Sequence, residues 1–194
     1  MKLYTRIRSI EDCYFLQRQL DVFANWCTLN RMEVNPSKCT VISFSRTKQA
    51  IFDNNIFLGT EITRISEVKD LGVILDTQLS FKSQISYIAS KASRVLGFII
   101  RVAKNFDDVY CLKSLYCSLS RSVLEYCSAV WTPHYNNGVE RVESVQRRFV
   151  RYVLRRLPWT DPFRLPSYDS RCQLIRLEPL SVRRNTARAL LIAD

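Results

Sequence analysis

Four glycines are scattered through 194 residues, so no glycine-rich phosphate loop is available. A single histidine, His134, excludes the commonest metal and acid–base chemistries, and it stands alone in "WTPHYNN" with no cysteine at zinc-ligand spacing. The seven cysteines, at 13, 27, 39, 111, 117, 127 and 172, include no C-x-x-C pair. Most lie among apolar residues at helical spacing, where cysteine acts as a small hydrophobe. Uninterrupted aliphatic runs are as short as "LGFII" and "ALLIA", which excludes a membrane span, and no apolar core follows the early cations as a signal peptide requires. Reduced thiols and the missing export signal predict an intracellular protein, in nucleus or cytoplasm, rather than a secreted one.

What is present is charge, unevenly placed. Residues 1–76 carry 10 Lys/Arg against 9 Asp/Glu, while residues 77–194 carry 19 against 9. A positive field confined to one half points to a polyanion that this half touches, and a well-solvated basic surface would give the same count.

The hydrophobic period changes at the same place. Ser9-Ile10-Glu11-Asp12 has the form of a capping box. Cys13, Leu16, Leu20, Phe23 and Cys27 then recur at steps of three and four, which predicts one helix to about Asn30. Asn35-Pro36 ends it. "CTVISFS" at 39–45 alternates as a strand, "IFLGTEITRI" reads as a hairpin bending near Gly59, and "VKDLGVILD" at 68–76 reads as one strand with a glycine inside. Lys2-Leu3-Tyr4 reads as the tail of a strand.

Beyond Asp76 the period is helical. One stripe is Ile85, Ile88, Ala92, Val95 and Ile99; a second is Leu112, Leu115, Leu119, Val123 and Tyr126; a third is Val142, Val145, Phe149 and Val153. From Pro158 the chain is rich in proline and arginine up to a short last helix in "LEPLSVRRNTARALLIAD". The pattern predicts an α+β protein, about 76 residues of helix and short strands followed by a helical bundle.

Candidate chemistry concentrates in that bundle. Arg147, Arg151 and Arg155 are spaced by four, and Arg141 and Arg148 lie seven apart, all opposite the apolar stripe of the third helix. Lys82, Lys91, Arg94, Arg101 and Lys104 add a second basic set. Arginine suits phosphate because its planar fork donates two hydrogen bonds at once. A solvated amphipathic face remains the other reading. "NFDDVY" at 105–110 offers paired aspartates of the kind that hold Mg²⁺, but its position between two stripes favours helix capping.

Several segments together resemble the reverse transcriptase of jockey-type non-LTR (LINE-like) retrotransposons. They are "IEDCYFLQRQLDVFANWCTLNRMEVNPSKCTVISFSR", "ISEVKDLGVILDTQLSFKSQISYIASKASRVLGFIIR", "LKSLYCSLSRSVLEYCSAVW" and "VERVESVQRRFVRYVLR", which occur in that family's order. The resemblance implies an RNA-directed DNA polymerase cut into three parts: the end of the palm at 1–78, a thumb-like helical bundle at 79–157 and a truncated post-thumb tail at 158–194. It implies that "MKLY" is the strand following the catalytic Asp-Asp box, so that the aspartates, and the Mg²⁺ they hold in the parent enzyme, belong upstream of Met1.

The same resemblance makes Lys38 the motif D lysine near the incoming nucleotide. It makes Leu71, Gly72 and Val73 the primer grip, and turns the basic face of the bundle toward an RNA–DNA or DNA duplex. By itself such a chain is expected to be inactive as a polymerase, to bind no membrane, and to self-associate through an exposed palm edge. A host-retained, non-catalytic nucleic-acid-binding module is the alternative the same residues allow.

Overall fold

The computed structural model describes residues 1–47, 51–105, 108–157 and 165–193. It is a mixed helix and sheet protein, α+β in class, and divides into two units, Met1–Ser80 and Phe81–Asp194.

In the first unit, α1 (Ile10–Leu29) starts where the Asp12 carboxylate accepts the backbone N–H groups of Arg8 (2.7 Å) and Ser9 (2.9 Å). Those two bonds hold the Asp12 carboxyl below its ordinary value. Cys13 and Cys27 are buried at the two ends of the expected stripe. Three two-stranded ladders follow. β1 (Thr40–Val41) pairs in parallel with β4 (Thr63–Arg64), and β2 (Ile56–Phe57) pairs antiparallel with β3 (Thr60–Glu61). β5 (Glu67–Asp70) pairs antiparallel with β6 (Val73–Asp76).

The β2–β3 hairpin turns on Leu58-Gly59, with φ of 50° and 75°, close to the predicted bend. Three local expectations need correction. "CTVISFS" forms a ladder only over two residues, because β4 is equally short. Residues 1–7 form no strand: no described strand pairs with them, and they are tied down where the Lys2 ammonium meets the Asp70 carboxylate at 2.5 Å. "VKDLGVILD" is a hairpin rather than one strand. Leu71 and Gly72 have φ of 44° and 86°, the left-handed pair of a tight two-residue hairpin turn.

The second unit is helical. α2 (Lys82–Val102) is followed by α3 (Val109–Leu115), a π-helical segment (Tyr116–Arg121) and α4 (Ser122–Glu125). Then come α5 (Ser128–Trp131), α6 (Asn136–Leu154), α7 (Tyr168–Leu174) and α8 (Leu180–Ala193). Asp108 caps α3 by accepting the Tyr110 N–H at 2.8 Å, so the capping reading holds for that aspartate; Asp107 lies outside the described residues.

The core of this unit contains the third stripe as expected, with Val142, Phe149 and Val153 fully buried and Val145 nearly so. In α2, Leu96 is buried in place of Val95, since about 3.6 residues per turn brings Ala89, Ala92, Leu96 and Ile99 onto one line. The second stripe is corrected more strongly. Leu119 and Tyr126 are exposed, while Leu112, Tyr116, Ser120 and Leu124 point inward. The π-helical segment is the cause, because its wider turn advances the buried face in steps of four.

α7 was not foreseen. Its start signal is modest: Ser167 accepts the N–H of Ser170 at 3.3 Å. No described helix is long and apolar enough to cross a membrane.

Candidate nucleic-acid interface

α2 and α6 lie side by side and run parallel. Near their N-termini, a Cβ placed on Gly138 would sit 3.4 Å from Ile85 Cδ1 and 2.9 Å from Pro133 Cβ, so glycine permits this approach. Near their C-termini, the Tyr152 hydroxyl donates to the carbonyls of Ile100 (3.5 Å) and Ala103 (3.4 Å). Arg156 donates to the Ala103 carbonyl at 2.9 Å and lies over the Tyr152 ring at 4.8 Å. A guanidinium at the carbonyl end of α2 also complements the helix dipole.

Both helices turn their buried faces to the same third element, the π-helical segment. Ser120 donates its hydroxyl to the Ala92 carbonyl of α2 at 3.1 Å. Tyr116 stacks on Phe149 of α6, ring centres 4.1 Å apart, and donates to Gln146 Oε1 at 3.1 Å. Two parallel helices with their apolar faces on one support must turn their polar faces the same way. Arg141, Arg148, Arg151 and Arg155 of α6 are all exposed, as are Lys91, Arg94 and Arg101 of α2 and Lys104 just beyond it. Lys82 is exposed in the first turn of α2.

Carboxylates are kept off this face. α2 contains no Asp or Glu. In α6, Glu140 is bound by Arg147 through two contacts, at 2.6 and 3.2 Å, which lowers the Glu140 pKa and raises that of Arg147. Arg147 also lies over the Tyr168 ring at 5.1 Å. It is therefore separated from the outward arginines and belongs to the packing of α7, a correction to the expected set.

Glu143, the other α6 carboxylate, is buried and faces away from the basic stripe. It accepts from the Tyr168 hydroxyl (2.7 Å) and the Ser181 N–H (2.6 Å), and it lies 3.7 Å from Arg184. Gln146 extends this cluster by donating to the Tyr168 oxygen (3.0 Å) and the Glu178 carbonyl (2.8 Å). Burial pushes the Arg184 pKa down, opposed by Glu143; burial and the bond to Glu143 push the Tyr168 phenol up. The sequence reading missed this cluster. Its visible signal was the pair Glu143 and Gln146 inside the apolar stripe of α6.

The site residues expected in the first unit are less concentrated. Lys38 ends a short 3-10 turn, Pro36–Lys38, and is exposed. Leu71 is 80% exposed at the β5–β6 turn, while Val73 is buried. Gly72 is explained by its left-handed backbone without any approaching strand of nucleic acid. All seven cysteines are free thiols, and among the described residues no cluster of His, Cys, Asp or Glu is arranged to hold a metal ion. The Mg²⁺ implied by the family resemblance is not matched by these residues, and no step below runs through it.

A scan against protein-family models finds no match, and neither the curated proteins nor the solved structures include a match to this chain.

Proposed function

We propose that the chain is a piece of a retrotransposon RNA-directed DNA polymerase that grips the sugar–phosphate backbone of a template–primer duplex with the outward face of α2 and α6. The observation that supports it is the shared direction of the two basic stripes, from which carboxylates are withdrawn. Arg141, Arg148, Arg151 and Arg155 on one helix and Arg94, Arg101 and Lys104 on or beside the other form one field. A polyanion is attracted to such a field by counterion release, with no need for base recognition. The motif order given above supports the polymerase parent. The host-retained module uses the same face, and the coding sequence upstream of Met1 separates the two: an aromatic-x-Asp-Asp stretch there favours the element.

The test is binding of a blunt RNA–DNA duplex across a salt series. The chain should bind with an affinity that falls steeply as salt rises. Arg148→Ala/Arg151→Ala/Arg155→Ala should flatten the slope by about 3 on a log–log plot, near 0.9 per lost phosphate contact. Salt-insensitive binding, or none, defeats the proposal. The purified chain should not extend a primer, since none of its 194 residues forms an aromatic-Ala-Asp-Asp box.

A further inference from the structure

The face of α2 turned away from its core is not uniformly polar. Tyr87, Lys91, Arg94, Phe98 and Arg101 follow one another at steps of four, three, four and three, a single stripe along the helix. Phe98 is 54% exposed in its middle, and Val102 beside it is 57% exposed. The guanidinium of Arg101 lies back along the helix, its Nη1 3.7 Å from where a Cβ on Gly97 would be, which keeps a cation next to the Phe98 ring. Aromatic rings set between cations on a surface without carboxylates suit a ligand that has both phosphates and flat apolar rings. In a duplex the bases are already stacked on one another. Only unpaired bases offer a free ring face, and every base has one.

We infer that this flank of α2 binds single-stranded nucleic acid, Phe98 and Tyr87 stacking on unpaired bases while Lys91, Arg94 and Arg101 hold the phosphates. This rests on the reading above that the α2–α6 face is a nucleic-acid surface, and it adds a class of ligand: a duplex continued by a single-stranded overhang.

The test uses the full chain and three labelled probes by fluorescence anisotropy: a blunt RNA–DNA duplex, the same duplex with a ten-nucleotide overhang (an arbitrary length of about this order spans one basic groove), and the overhang strand alone. The overhang should raise affinity by about tenfold, the usual worth of one stacked base. Phe98→Ala should remove that gain while leaving blunt-duplex affinity within about twofold, and Phe98→Leu, which keeps apolar area without a stacking ring, should behave like Phe98→Ala. Unchanged helical circular dichroism in each variant excludes loss of fold as the cause.

Equal affinity for blunt and overhung duplex, or a gain that survives Phe98→Ala, overturns the inference while leaving the duplex reading intact. Binding to the single strand but not to the blunt duplex does the reverse. Failure to bind any probe overturns both.

Discussion

The guanidinium of Arg184 on α8 lies 3.7 Å from the carboxylate of Glu143 on α6, with only 2% and 4% of the two side chains exposed. One Arg184 nitrogen, Nη1, has no hydrogen-bond partner among the described residues, so the ion pair is imperfectly satisfied. Its value is positional: the same carboxylate accepts from Ser181 and Tyr168, and so ties the 165–193 segment to α6.

Removing one partner of a buried pair leaves the other charge uncompensated. Arg184→Met should therefore destabilise the helical unit by about 3–5 kcal/mol in urea denaturation followed by circular dichroism. Glu143→Leu combined with Arg184→Met should lose much less than the sum of the singles. A strictly additive double variant would show that the two groups are not coupled.

Tyr116 and Tyr168 both have phenols pushed upward, chiefly by burial. A phenol whose folded pKa is raised stabilises fully below its unfolded value near about 10 and loses that stabilisation as pH climbs above it. The protein should therefore unfold cooperatively in strong alkali. In a pH titration followed by phenolate absorbance, two of the nine tyrosines should ionise only with that unfolding. Nine tyrosines titrating together below the transition would contradict the packing described.

Arg147 and Arg148 are neighbours in sequence with opposite fates, one bound to Glu140 and over Tyr168, the other outward. Arg148→Ala should weaken duplex binding and reduce the salt slope by about 0.9, with stability changed by less than about 0.5 kcal/mol. Arg147→Ala should leave the slope unchanged and show its effect in thermal melting instead.

Gly72 tests the β5–β6 turn. Its φ of 86° is left-handed, and Gly72→Ala should cost about 1–2 kcal/mol in the stability of the first unit. Gly72→Asn, which tolerates that conformation better, should recover part of the loss. If the glycine were needed only for approach of nucleic acid, both variants would melt like the parent chain.

The first unit buries few large side chains; Cys13, Cys27, Phe57 and Val73 are its buried apolar residues, while Phe15, Val22, Trp26 and Leu29 of α1 remain substantially exposed. Hydrogen exchange should be faster throughout α1 than in α6, where Phe149, Val150, Val153 and Leu154 are fully buried. Equal protection of the two helices would show that the exposed face of α1 is covered in solution.

Local elements were legible wherever one short-range rule dominated. The helix start at Ser9–Asp12, the hairpin near Gly59 and the apolar line through Val142, Phe149 and Val153 each follow from capping, turn chemistry or period. The reading failed where two rules competed. "VKDLGVILD" has the alternation of a strand and the Leu-Gly pair of a turn, and the turn won because β6 folds back on β5. In "LKSLYCSLSRSVLEY" the regular leucines pointed to one face. The π-helical turn shifted that face to Tyr116, Ser120 and Leu124, an adjustment made by packing against Ala92 and Phe149.

The sequence alone determined that the second half of the chain is helical and basic, because helical period and net charge are sums over residues that need no partner. Which arginines face outward together was decided by the tertiary structure. Arg147 is taken by Glu140 and Tyr168, while Arg148, Arg151 and Arg155 share a side with Arg94 and Arg101. The parallel packing of α2 and α6 on one support brings those charges together, and the spacing within either helix does not reveal it.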